Sequence, residues 1–199
     1  MEDAQNATLK YLEFGNRMNP NMFEKETLKT LQNFSKITGV SLALLGSAGI
    51  LLNVIFPDAN IDLFIGLLLF LAGFIVAVNI YKNYYGNRLS YLQALIPLIS
   101  GLVFLTLPIE HDLAILATIV FYLFLDGFIK SAIGLSYRPL KKWRLIVYSG
   151  AFSIILANFV VFGWPLTNYW LLKLIICANI FFDGMMFFNF SFAIEDELS

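Results

Sequence analysis

The amino-acid sequence predicts an all-α integral membrane protein whose six transmembrane helices form three repeated helical hairpins. Three observations carry this expectation: an oily composition, six long apolar runs, and a recurring order of proline, small residues and Asp-Gly. The chain has 199 residues, 59% of them hydrophobic, 14% charged, with twenty Phe. Soluble proteins hold roughly 45–50% apolar and about 25% charged residues, so a chain of one-domain length cannot hide this much apolar surface from water.

The apolar runs cover 37–57, 61–81, 90–109, 112–135, 143–164 and 169–192. Each is long enough to cross a bilayer, which needs about 20 helical residues. None alternates as a strand would, and backbone groups in lipid must be satisfied within the segment, so helices are expected rather than a barrel. Pro57, Pro108 and Pro165 close the odd-numbered runs, and the next run follows at once, which predicts three tight hairpins. Pro97 falls early in the third run, where it kinks the helix or marks its first turn.

Charge distribution predicts the topology. Lys10, Arg17, Lys25, Lys29, Lys36, Lys82, Arg88, Arg138, Lys141, Lys142 and Arg144 fall on one side. The short loops opposite are assigned Asp58, Asp62, Glu110, His111 and Asp112, with no Lys or Arg. The positive-inside rule then places both termini in the cytoplasm. Tyr81, Tyr84, Tyr85, Tyr91, Tyr137 and Trp143 suit the inner interface, and Trp164, Tyr169 and Trp170 the outer.

Residues 1–36 read as a cytoplasmic arm rather than a cleaved signal, since they begin with acids and lack an apolar core. Within NMFEKETLKTLQNFSK, Phe23, Thr27, Leu28, Leu31 and Phe34 gather on one helical face. This predicts a short amphipathic helix on the inner membrane surface, with a protein-binding arm as the alternative. Residues 193–199 read as an acidic cytoplasmic tail.

The second and third hairpins look like copies. Pro108 and Pro165, Asp126 and Asp183, and Gly127 and Gly184 are each 57 residues apart. Ser100-Gly101 is echoed by Ser149-Gly150, and Ala72-Gly73 occupies the Asp-Gly place of the first hairpin. Gly127, Ser131 and Gly134, with Ser149, Ser153 and Ala157 and with Gly184, form the small-residue rows that let helix backbones approach in lipid.

The stretches LDGFIKSAIGLSYRPLKKW (125–143) and SGAFSIILANFVVFGWP (149–165), followed by Asp183-Gly184, resemble the HdeD family of bacterial membrane proteins. The likeness covers nearly all of 37–192. It implies a six-helix protein of the bacterial inner (plasma) membrane associated with acid resistance and the stress response. It implies no enzymatic activity and supplies no catalytic residues.

Two acids stand out. Asp126 and Asp183 lie about 13 and 14 residues from the outer ends of their runs, roughly 20 Å deep at ~1.5 Å per residue. A carboxylate at a helix centre costs about 2.5–3.5 kcal/mol, which ~20 apolar neighbours outweigh, so the helices insert and the acids face the bundle. Lys130 is one turn after Asp126 and Tyr122 one turn before it. Lys130 either pairs with Asp126 or snorkels to the inner interface. Asp183 has Asn179 one turn earlier and no cation on its own helix, so it is the candidate to gain a proton.

These five polar residues support two readings: interhelical hydrogen bonding that fixes the packing, or a protonation site. Asn53 and Asn158 are expected to bond between helices, and Cys177 to fill space. One Cys and one His exclude an internal disulfide and His-pair or Cys-cluster metal sites within one chain. No phosphate-binding loop or nucleophile motif occurs, so neither an enzyme nor a cofactor is expected. The basic residues sit where topology requires them, which leaves no case for nucleic acid. The expected partners are the lipid bilayer and, left open, a second copy of the chain. The functional expectation is a non-enzymatic contributor to acid or envelope-stress tolerance, through assembly or protein interaction. The alternative is a small proton or solute transporter using Asp126, Lys130 and Asp183.

Overall fold

The computed structural model describes residues 25–82, 88–106, 112–136, 138, 142–162 and 168–198. Among them every regular element is an α-helix: α1 (Lys25–Ile55), α2 (Ile61–Lys82), α3 (Arg88–Thr106), α4 (Asp112–Ser136), α5 (Arg144–Val161) and α6 (Tyr169–Leu198). Five of these are long and apolar enough to cross a membrane, while the apolar part of α3, Tyr91–Thr106, is shorter. Pro97 lies inside α3.

Large apolar side chains point outward, among them Leu44, Phe74, Phe121, Phe128 and Ile155, while Asp126, Lys130 and Asp183 are buried. A water-soluble protein would invert that arrangement, so the outer surface is matched to lipid. Asparagines open two helices. Asn60 Oδ1 accepts the Leu63 N–H (3.0 Å), and Asn168 Oδ1 accepts the Trp170 N–H (3.1 Å). Each occupies an N-terminal donor that the helix cannot satisfy itself.

The helices joined by the predicted hairpin turns touch, but they are not the most closely packed pairs. The three most extensive helix contacts are α1 with α6, α2 with α3, and α4 with α5. Each even helix therefore packs on the odd helix that follows, and α6 closes the ring on α1. Glycine explains the choice. A Cβ on Gly73 would lie 2.9 Å from the Ala94 oxygen and 2.6 Å from the Leu98 nitrogen. One on Gly127 would lie 2.6 Å from the Gly150 oxygen and 3.2 Å from the Ile154 nitrogen. One on Gly184 would lie 2.7 Å from the Gly39 oxygen and collide with the Ala43 nitrogen. Three backbone contacts of one design thus recur, each between an oxygen at one position and a nitrogen four residues later.

A second row follows seven residues along the odd helices: Gly46 abuts the Phe181 nitrogen, Gly101 the Phe70 nitrogen, and Ala157 is fully buried at the matching place. This register corrects the echo between Ser100-Gly101 and Ser149-Gly150. Gly150 matches Ala94 and Gly39, two turns from where Gly101 acts.

Two boundary expectations are also corrected. The interfacial helix expected before residue 37 is continuous with the first span, because Leu28, Leu31 and Phe34 bury against the bundle and Phe34 meets Phe187 edge-on at 6.0 Å. The acidic tail is helical through Leu198, with Ala193 and Ile194 buried. Phe23, Pro108, Glu110, His111 and Pro165 lie outside the described residues.

Candidate functional site: a buried charge cluster

Asp126 and Lys130 come from α4, Ser149 and Ser153 from α5, and Asn179 and Asp183 from α6; all six are buried. The Gly127–Gly150 contact brings α4 and α5 close enough for short side chains to bridge them. Lys130 does not snorkel. Its side chain is 1% exposed, and the ammonium pairs with Asp126 Oδ2 one turn back on its own helix and with Asp183 Oδ2 at 2.5 Å across the bundle.

Further hydrogen bonds surround the ion pairs. Ser149 Oγ donates to Asp183 Oδ1 (2.8 Å). Asp126 Oδ2 faces Asn179 Nδ2 at 3.2 Å and Ser153 Oγ at 3.0 Å. Ser153 Oγ also stands 2.7 Å from Asn179 Oδ1 and 3.2 Å from the Ser149 carbonyl, so its single proton serves one of three acceptors. Tyr122 is buried beside Asn179 and both acids. Ser149 and Ser153, expected as packing residues, are thus hydrogen-bonding members of the cluster. Ser131, Gly134 and Ala157 pack: Ser131 Oγ returns its proton to the Gly127 carbonyl, and Gly134 faces Val147.

A cavity of about 20 Å³ adjoins the cluster, lined by Leu42, Ala72, Gln93, Tyr122, Asp126 and Asp183 among others. That is room for a water molecule. Ala72, Asp126 and Asp183 each directly precede a contact glycine, so the space lies where three equivalent positions converge. The small alanine leaves it open. Gln93 was not singled out in the sequence, although its place four residues before Pro97 was a usable signal. Pro97 has no N–H to return to the Gly-free stretch behind it, so the Gln93 carbonyl lacks its helical donor.

Lys173 was also missed, and it corrects the expectation of an opposite side without basic residues. Its buried ammonium donates to the carbonyls of Pro57 (2.6 Å) and Ala59 (3.1 Å) and lies 5.4 Å from the Phe64 ring. It ties the α1–α2 turn to α6. Nearby, Asn53 Nδ2 donates to the Trp170 carbonyl (3.0 Å), an interhelical bond as expected, whereas Asn158 only returns to Ile154 of its own helix. On the basic face, Arg138 and Arg144 lie over the Trp143 ring at 6.0 and 5.9 Å.

Among the described residues no group of three or more His, Cys, Asp or Glu side chains is placed to hold a metal. The cluster's own ammonium occupies the space between the two carboxylates. What the arrangement can do chemically is exchange protons and transmit a change of charge between α4 and α6. No family model, curated protein or solved structure matches the chain.

Proposed function

We propose that the chain is a non-enzymatic, multi-pass protein of a bacterial inner membrane that contributes to acid tolerance by taking up a proton at the Asp126–Lys130–Asp183 cluster. One observation carries this reading: two buried carboxylates share a single ammonium. One positive charge balances one carboxylate, and the surplus negative charge is costly inside a lipid-embedded bundle. A proton removes that surplus. Asp126 draws on Lys130, Ser153 and Asn179, Asp183 on Lys130 and Ser149 only, so Asp183 is the acceptor.

Protonation would leave Lys130 bound chiefly to Asp126 and loosen the tie between α4 and α6. The consequence is altered assembly or interaction with another protein. The resemblance to the HdeD family supports the acid-tolerance role, and the exposed Lys36, Arg138, Lys142 and Arg144 support cytoplasmic termini.

The test is an infrared difference spectrum of the reconstituted protein between neutral and mildly acidic buffer. A protonated-carboxyl band that appears in the wild type and is lost in Asp183→Asn and also in Asp126→Asn, since either variant leaves one carboxylate for the one ammonium, is the expected result. Its absence from the wild type overturns proton uptake. The cavity beside both acids favours a second reading, a small proton or solute transporter. Proton flux into proteoliposomes under a pH gradient, above that of empty liposomes and lost in Asp183→Asn, would select it over a role in assembly.

A further inference from the structure

Most described hydroxyls bond to their own helix, Ser149 reaches Asp183 instead, and Ser35 and Thr38 do neither. Ser47, Thr106, Thr118, Ser131, Ser136, Ser153 and Ser191 each place Oγ within hydrogen-bond reach of a carbonyl about one turn back on the same helix. That local bond is the usual solution where water is excluded. Ser35 Oγ and Thr38 Oγ1 have no hydrogen-bond partner, though the residues are only 1% and 0% exposed. A buried hydroxyl without a partner is costly.

Their position gives the reason. Leu42 lines the cavity beside Asp126 and Asp183. At about 100° per residue, Ser35 lies within ~20° of the Leu42 direction two turns away, and Thr38 lies within ~40° one turn away. Both stand between the cavity and the basic face of the bundle. Other helices also present polar groups in this half. Asn79 of α2 is two turns beyond Ala72 on the same face, Gln93 of α3 lines the cavity, and Ser149 of α5 touches Asp183.

In the half beyond the cluster, the buried Asn53 and Lys173 lie near the α1–α2 turn, at its far end. Ile65, Leu69, Ile119, Leu123 and Ile176 are all 0% exposed and form an apolar belt between the cluster and the opposite face. The titratable groups facing Asp183 are Asp126, Lys130 and Tyr122, all from α4. Among the described residues, the groups that α1, α2, α3 and α5 bury in the basic half are uncharged.

We propose that protons reach the Asp126–Lys130–Asp183 cluster from the basic face alone, along a hydratable polar column entered past Ser35 and Thr38, with the apolar belt closing the other side. Each hydroxyl both donates and accepts, as a proton-carrying chain of water and side chains requires. A hydronium ion at the basic face gives up its proton, and the Asp183 carboxylate becomes a carboxylic acid. Lys130 keeps its protons and stays paired with Asp126. The ammonium also occupies the place a metal cation would need, so the charge admitted is a proton. This inference rests on the reading that the cluster takes up a proton.

Two measurements test it. Cys177 is first replaced by Ser, and Thr38→Cys, Gln93→Cys, Leu69→Cys and Ile119→Cys are introduced singly into proteoliposomes of known orientation. A charged, membrane-impermeant thiosulfonate is then applied from each side in mildly acidic buffer. The expected result is labelling of Thr38→Cys and Gln93→Cys from the basic face only, with Leu69→Cys and Ile119→Cys unlabelled from either side. Lack of labelling at both Thr38→Cys and Gln93→Cys, or labelling of any variant from the opposite face, overturns the column. In the second measurement, Ser35→Ala with Thr38→Val should slow the rise of the Asp183 carboxyl band after a pH jump by about tenfold, without changing its final size. An unchanged rate overturns the role of the hydroxyls. If the wild-type band never appears, proton uptake itself has failed; if it appears and the labelling pattern is wrong, the column alone has failed.

Discussion

The contact of Gly73 with α3 and the contacts of Gly127 with α5 and Gly184 with α1 share a backbone design but not a chemistry. Each glycine lies against a carbonyl oxygen and an amide nitrogen one turn apart on its partner helix. The residue just before it is Ala72 in the first case and an aspartate in the other two. One turn later stand Val76, Lys130 and Phe187, so a single cation serves both acids. Glycine sets how helices approach, and the preceding residue decides whether the approach encloses a void or a charge. Packing and chemistry are therefore separable in this bundle, and the comparison can be tested at either level.

The largest effect is expected on the charged side. Lys130→Met strands two buried carboxylates and should destabilise the protein by about 3–5 kcal/mol, measured by thermal unfolding in detergent. Adding Asp126→Leu and Asp183→Leu should recover most of that loss, since a fully apolar core has no unpaired charge. A triple variant as unstable as the single one would mean that the cluster itself holds the helices together. Next, Gly184→Val and Gly73→Val should each cost about 1–3 kcal/mol. Comparable losses would sharpen the equivalence of the contacts, and indifference at Gly73 would break it. Ala72→Val, which intrudes on the cavity, should change stability by about 1 kcal/mol while altering proton uptake by Asp183. Last, Asn53→Ala should cost about 1 kcal/mol through its lost bond to Trp170. Asn158→Ala, whose amide only returns to its own helix, should stay within about 0.5 kcal/mol.

The segments were legible because hydropathy is a local property. The runs 61–81 and 112–135 coincide closely with α2 and α4. Which helix packs on which was not legible from prolines, because a short connection fixes succession along the chain and not depth of contact. The small residues held that information in their seven-residue spacing, Gly39 with Gly46 and Gly150 with Ala157. At the site, Asp126 and Lys130 were readable as a pair one turn apart. That Lys130 also reaches Asp183 was not, because it depends on how α4 and α6 face each other. Ser149 and Ser153 were read as small when their hydroxyls also mattered. Lys173 escaped the loop reading because it lies inside an apolar run and reaches back to the loop carbonyls.

The closing of α6 on α1 has a consequence for biogenesis. Helix α1 enters the membrane before α6 has been made, yet α6 supplies the surface that fills its groove at Gly39 and Gly46. Throughout synthesis that groove faces lipid or a transient escort, so the first of the described helices is the last to find its mate. The other two close pairs join neighbours in the chain and can form as they emerge. Assembly therefore waits on its most distant contact. A rearranged gene in which α1 follows α6 through a short loop would make that contact local, and the bundle should form sooner.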